Sequence, residues 1–91
     1  MMIRYSILFK GRVQGVGFRY TALKIAQKYE LTGFVRNCSD GSVLVEIQGN
    51  SIDPSRFIQT LRHKNLFIRI DDYTMTKKTV VLSEKAFNIV G

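Results

Sequence analysis

The chain has one cysteine, one proline, one histidine and no tryptophan in 91 residues. A lone cysteine, Cys38, excludes an internal disulfide. With a single proline and no glycine-rich or serine-rich tract, nothing reads as a linker or a low-complexity segment. The lone histidine, His63, leaves no histidine–acid pair elsewhere, and no Cys/His/Asp cluster has metal-ligand spacing, so no metal site is expected. Long apolar runs are also missing. Arg4 and Lys10 bracket only Ile7-Leu8-Phe9, far below a signal-peptide core, and no stretch approaches a membrane span. These absences predict a soluble, cytoplasmic protein with no membrane partner.

Acids are scarce too. Seven Asp and Glu face fourteen Lys and Arg, for a net charge of +7. The excess is uneven: residues 1–28 hold Arg4, Lys10, Arg12, Arg19, Lys24 and Lys28, with no acid before Glu30. Such a field steers anions, whether a small phosphate, a nucleic acid or an anionic membrane surface, and charge alone does not choose among them. What is present is a core: 45% apolar and 11% aromatic residues predict one compact domain over residues 1–91, needing no disulfide or metal for stability, with a monomer as the default state.

The elements follow from periodicity. Met2 to Lys10 alternates, with Ile3, Tyr5, Ile7 and Phe9 on one face and Arg4, Ser6 and Lys10 on the other, which predicts a half-buried strand. After Gly11, Gly15 and Gly17, the residues Phe18, Ala22, Ile25, Ala26 and Tyr29 recur at helical spacing until Leu31-Thr32-Gly33 closes the run. Phe34–Cys38 and Val43–Gln48 read as strands joined by Ser39-Asp40-Gly41-Ser42, whose Asp-Gly is a strong hairpin signal. Asp53-Pro54 supplies an N-cap and a first-turn proline for a second helix with the stripe Phe57, Ile58, Leu61, ending near Asn65. Leu66 to Thr76 is β-rich around a break at Asp71-Asp72, Lys77-Lys78 suits a turn or an edge, and Phe87 to Val90 suits a short last strand. The order predicts an α+β, ferredoxin-like βαββαβ sandwich: a mostly antiparallel sheet of four or five strands with two helices on one face. A right-handed crossover makes the first two strands parallel, so the loop leaving the first and the residues ending the second share one edge of the sheet.

That edge holds the candidate chemistry. Gly15 and Gly17 flank Val16 just before the first helix, where glycines let successive N–H groups turn inward and the helix dipole adds positive potential. The loop matches neither GxxxxGK[ST] nor GxGxxG, so a tight connection and an anion cradle both remain open readings. Arg19 stands in the first helical turn, against the dipole, and a bound anion would offset the cost of about 0.3–1 kcal/mol; a solvated arginine turned away from the loop is the alternative. Asn37 closes the second strand on the same edge. Its two readings are turn chemistry and a neutral amide that holds a water without repelling a phosphate.

The segment GRVQGVGFRYTALKIAQKYELTGFVRNCSDGSVLVEIQG, residues 11–49, resembles the acylphosphatase family closely, through Val13 to Arg19 (VQGVGFR) and Gly33 to Val43 (GFVRNCSDGSV). Residues 50–91 agree in element order and in Phe87-Asn88-Ile89, but depart in three places: Lys64-Asn65-Leu66-Phe67 replaces a Gly-Pro, residues 77–85 are idiosyncratic, and Val90-Gly91 stands where the family has a terminal tyrosine. The resemblance implies that Arg19 binds phosphate, that the backbone of Gln14, Gly15, Val16, Gly17 and Phe18 cradles it, and that Asn37 orients the attacking water. It also implies hydrolysis of small acyl phosphates without metal, cofactor or covalent phosphoenzyme, with inorganic phosphate or sulfate as a competing anion.

The residues fit that chemistry. A carboxylate of pKa about 4 leaves without a general acid, so positioning and charge stabilisation suffice. His63, near a helix C-terminus, reads as a dipole-compatible surface residue, and Cys38 as a small hydrophobe. Two rivals stand beside the enzyme. A nucleic-acid module would suit the charge, yet Val43 to Gln48 carries no aromatic platform and no K/R-G-F/Y-G/A-F pattern. A regulatory domain like the acylphosphatase-like segment of hydrogenase-maturation carbamoyl transferases would be part of a much longer chain, whereas this one is expected to stand alone.

Overall fold

Alternating side chains at the start of the chain form β1 (Met2–Arg12), and the 3.6-residue stripe after the glycine loop forms α1 (Phe18–Lys28). The computed structural model describes residues 1–91, in which β2 (Thr32–Asn37), β3 (Val43–Asn50), α2 (Pro54–Lys64), β4 (Arg69–Lys78) and β5 (Phe87–Ile89) follow. The five strands make one sheet in the order β4-β1-β3-β2-β5. β1 runs antiparallel to β3 and β4, β2 antiparallel to β3, and β5 parallel to β2. Since β1 and β2 both oppose β3, they are parallel to each other, as the crossover through α1 requires.

Both helices lie on one sheet face. Phe18, Ala22, Ile25 and Ala26 of α1 and Phe57, Ile58 and Leu61 of α2 close over Ile7, Phe9, Val35, Val43, Val45 and Ile47 in one buried cluster. α2 starts as its sequence dictates: the Asp53 side chain accepts from the Ser55 N–H at 3.1 Å and the Arg56 N–H at 3.4 Å, and Pro54 follows at the first helical position.

Three features differ from the sequence reading. β1 continues past Lys10 to Arg12, and the apparent break at Asp71-Asp72 is a bulge: Lys10 pairs with Asp72 and Gly11 with Ile70, which leaves Asp71 without a partner while β4 continues on both sides. β2 ends at Asn37, so Cys38 joins the connection of residues 39–42, closed by the Cys38 N–H to Ser42 O at 2.9 Å and the Gly41 N–H to Cys38 O at 3.2 Å.

The third difference is Arg4, expected on a polar strand face yet only 3% exposed. β4 and β5 lie at opposite edges, so residues 79–86 must cross the sheet face that the helices leave free. This strap covers Arg4. The Arg4 guanidinium donates to Glu46 at 2.8 Å, to Glu84 of the strap at 2.8 and 3.2 Å, and to the Gln48 side chain at 3.2 Å. Gln48 in turn donates to the Val81 carbonyl at 2.9 Å and accepts from the Val81 N–H at 2.8 Å. Burial disfavours the guanidinium's charge, but the hydrogen bonds and negative charge of Glu84 and Glu46 outweigh it and raise the Arg4 pKa above the ordinary arginine value.

Candidate active site

The sheet register places the site. Phe9 pairs with Val43 and Val43 with Asn37, so the three residues form one row across the sheet at the end where β1 leaves it. Residues directly opposite share a face, and Phe9 and Val43 face the helices, so Asn37 faces the helix layer as well. The Phe18 ring packs on Phe9 with centroids 5.1 Å apart, which seats the first residue of α1 over that row.

The loop between β1 and α1 is tied down on both sides. The Gln14 side chain donates to the carbonyls of Cys38 at 2.8 Å and Ser42 at 2.9 Å, binding the loop to the β2–β3 hairpin. On the other side Asn65, just past α2, donates from Nδ2 to the Val16 carbonyl at 2.8 Å and to Thr21 Oγ1 at 3.2 Å. Thr21 Oγ1 donates to the Gly17 carbonyl at 2.8 Å. Between these ties Gly15 and Gly17 take φ of 73° and 79°, left-handed conformations that a side chain would strain. A Cβ at Gly15 would meet nothing within 4 Å, so the backbone angle, and not space, selects glycine there.

The carbonyls of Val16 and Gly17 are thus engaged while the loop's amides are not. No backbone N–H of residues 14–17 donates to a protein acceptor, and Gly17, the N-cap of α1, provides no side-chain cap for the first helical turn. α2 shows the contrast, its own start being closed by Asp53. At the uncapped end of α1 lies a cavity of about 270 Å³ lined by Val13, Gly15, Gly17, Phe18, Arg19, Tyr20, Asn37 and Ile89.

Gly15, Gly17, Phe18, Arg19 and Asn37 thus meet at one cavity, as the shared-edge argument expects. Gln14 and Val16 contribute only through the loop: the Gln14 side chain turns to the hairpin, and Val16 packs against the core. Arg19 does not turn away from the loop. Its guanidinium donates to the backbone carbonyl of Gly91, which also accepts from the Asn37 N–H at 3.3 Å, so the chain beyond β5 bridges the two candidate residues. The Asn37 side chain itself has no hydrogen-bond partner in the protein. His63 is exposed near the end of α2 and does not line this cavity, and Cys38 is half-buried, hydrogen-bonded only through its backbone.

Sequence reading missed three participants. Asn65 stands in the tetrapeptide noted only as a departure, and its position at the end of α2 was its one signal. Gly91 and Ile89 come from the last turn of chain, whose approach to α1 depends on β5 pairing parallel with β2, a long-range event without a local pattern.

The βαββαβ order with a fifth strand appended defines a ferredoxin-like sandwich, with a glycine loop of free amides, an arginine and an asparagine at one cavity. Comparison with known proteins narrows this. The profile of the acylphosphatase family matches residues 5–89. The acylphosphatase of Clostridium acetobutylicum is 43% identical over 90 residues, covering 99% of each chain. The crystal structure of acylphosphatase from Bacillus subtilis superposes with a TM-score of 0.87 at 33% identity, over 100% of both chains. Full-length HypF, in a phosphate- and nucleotide-bound form, superposes with a TM-score of 0.82 at 32% identity, over 100% of this chain and 12% of that one. The chain belongs to the acylphosphatase family.

Proposed function

We propose that the protein hydrolyses the carboxyl–phosphate anhydride of small acyl phosphates to a carboxylate and inorganic phosphate. The observation that carries this is the set of unpartnered loop amides at residues 14–17 opening, beside Arg19 and Asn37, on one cavity. The amides and the guanidinium hold the phosphoryl oxygens. One guanidinium nitrogen donating to Gly91 leaves the other donors of the fork for the substrate. The Asn37 side chain orients a water against phosphorus without adding a negative charge beside the dianion.

The water oxygen bonds to phosphorus as the bond from phosphorus to the acyl oxygen breaks, and the electron pair departs with the carboxylate. A leaving group of pKa about 4 needs no proton, while the water's proton passes to a phosphate oxygen. The protein's part is positioning and charge stabilisation of an in-line transfer, and the reaction as written uses neither a metal ion nor a phosphoenzyme. Inorganic phosphate and sulfate, with the same oxygens, compete for the cradle. A nucleic-acid module is less well supported, because the strap of residues 79–86 crosses the helix-free sheet face on which bases would stack.

The test is turnover of acetyl phosphate with and without a chelator, beside a simple phosphomonoester. Activity that survives chelation and is absent on the monoester supports the reading. Inactivity on acetyl phosphate, or equal activity on the monoester, overturns it.

A further inference from the structure

Asn65 reaches the glycine loop from the turn after α2 and takes no part in the bond-making steps. Its backbone fixes where it stands. The Asn65 N–H donates to the Leu61 carbonyl at 3.3 Å, and its carbonyl accepts from the Ile68 N–H at 3.2 Å, with Leu61 and Ile68 both buried in the core. The side chain is then fully engaged. Its Oδ1 accepts from the Phe67 N–H at 3.0 Å, a role only the amide oxygen can play, so Nδ2 faces the loop and gives one proton to the Val16 carbonyl and the other to Thr21 Oγ1.

The consequence falls on the far side of those peptides. A trans peptide is planar, so its C=O and N–H point in opposite directions. Holding the Val16 carbonyl toward Asn65 aims the Gly17 N–H away from Asn65, and Gly17 lines the cavity whereas Asn65 does not. Thr21, which accepts from Asn65, donates from Oγ1 to the Gly17 carbonyl at 2.8 Å, beside its own N–H at 3.1 Å. That fixes the Phe18 N–H, one of the first-turn amides that a helix leaves unpaired. Gly17 needs such support, because glycine at φ 79° is not confined by its own residue type and no side chain caps α1. The approach is close: a Cβ on Gly17 would stand 3.4 Å from Asn65 Nδ2.

We propose that Asn65 is a positioning residue: by gripping Val16 and Thr21 it points the Gly17 and Phe18 amides at the phosphoryl oxygens and so sets how tightly the cradle holds phosphate. This rests on the acylphosphatase reading above. The test measures kcat and KM for acetyl phosphate and the inhibition constant of inorganic phosphate in the wild type, Asn65→Ala, Thr21→Val, Thr21→Ser and Asp53→Ala. Phosphate titrations of the Gly17 and Phe18 amide resonances by NMR accompany them.

Asn65→Ala should raise KM and the phosphate inhibition constant together by about tenfold, the effect of weakened hydrogen bonds to a charged group, while kcat changes less. Thr21→Val should show the same pattern more mildly, and Thr21→Ser should keep wild-type values. Asp53→Ala, which loosens the other end of α2, should leave both constants unchanged. A merely structural role would shrink the folded fraction, lowering the apparent kcat with KM and the inhibition constant unmoved. That result in Asn65→Ala, or an equal rise of both constants in Asp53→Ala, overturns the positioning role. Should Asn65→Ala not fold, equal phosphate affinity in Thr21→Val and Thr21→Ser overturns it. A wild type that binds phosphate but leaves acetyl phosphate intact overturns the hydrolytic reading alone, the titrations then deciding the role of Asn65. A wild type that binds no phosphate overturns both.

Discussion

Arg19 occupies a turn where the helix dipole repels it, and the structure shows how the fold tolerates it: a backbone carbonyl from residue 91 accepts from it, and it lines the cavity at the start of α1. Its lack of local compensation was legible in the sequence, because it is a cation next to a glycine loop with no acid in the first turn. Its contact with Gly91 was not, since nothing near residue 19 refers to the far end of the chain. By analogy with removal of a single oxyanion donor, Arg19→Ala should cost about 10²- to 10³-fold in kcat/KM on acetyl phosphate and weaken phosphate inhibition, and Arg19→Lys, which keeps the charge without the fork, should recover only part. Asn37→Ala should instead lower kcat while leaving the phosphate inhibition constant nearly unchanged; parallel loss of both would make Asn37 a binding residue. Asp40 carries the pH dependence at this scale. Its carboxylate accepts from the Ser42 hydroxyl at 2.5 Å and the Ser42 N–H at 3.0 Å, and these bonds, with the charge of Lys10, hold its pKa below the usual carboxylate value. A depressed folded-state pKa contributes stability above the unfolded value of about 4, and that contribution is lost as pH falls through the folded value. Urea denaturation of wild type and Asp40→Ala should accordingly differ at pH 7 and converge in acid.

At the scale of elements, the two helices were read correctly because their start signals are local. Asp53-Pro54 announced α2, and the structure shows both expected hydrogen bonds from its first turn to the Asp53 carboxylate. Asp53→Ala should destabilise the protein by about 1 kcal/mol in chemical denaturation without altering phosphate inhibition, the site lying at the opposite end of that helix. Strands were legible by alternation, but their limits were not. β1 outruns its pattern because Gly11 and Arg12 pair with Ile70 and Arg69 across a bulge, and a bulge shows in sequence only as an interruption. The hairpin signal Asp40-Gly41 marked the right place, and the connection gains only Cys38, while Ser42 is held in the turn by Asp40 and by Gln14.

For the molecule as a whole, βαββαβ order was enough to bring the loop leaving β1 and the residues ending β2 to one end of the sheet, and that inference depended only on handedness and alternation. The burial of Arg4 required knowing that β4 and β5 sit at opposite edges, so that the intervening residues must pass over the free face. There the cluster of Arg4, Glu46, Glu84 and Gln48 fastens the strap that delivers β5 to its edge. Glu84→Ala leaves a largely buried guanidinium with one carboxylate in place of two and should cost about 2–3 kcal/mol in urea denaturation, near the lower limit for a broken buried pair because Glu46 remains.

The interior position of β1, between β4 and β3, has a consequence for how the molecule is made. Arg4 lies opposite Lys78, and the same strand also needs β3 on its other flank. A nascent segment of this topology has no complete neighbourhood until residue 78 has left the ribosome, and closing so wide a chain loop is slow compared with winding a helix. The earliest-made strand should therefore stay half-clad during its passage from the exit tunnel until β4 follows it out.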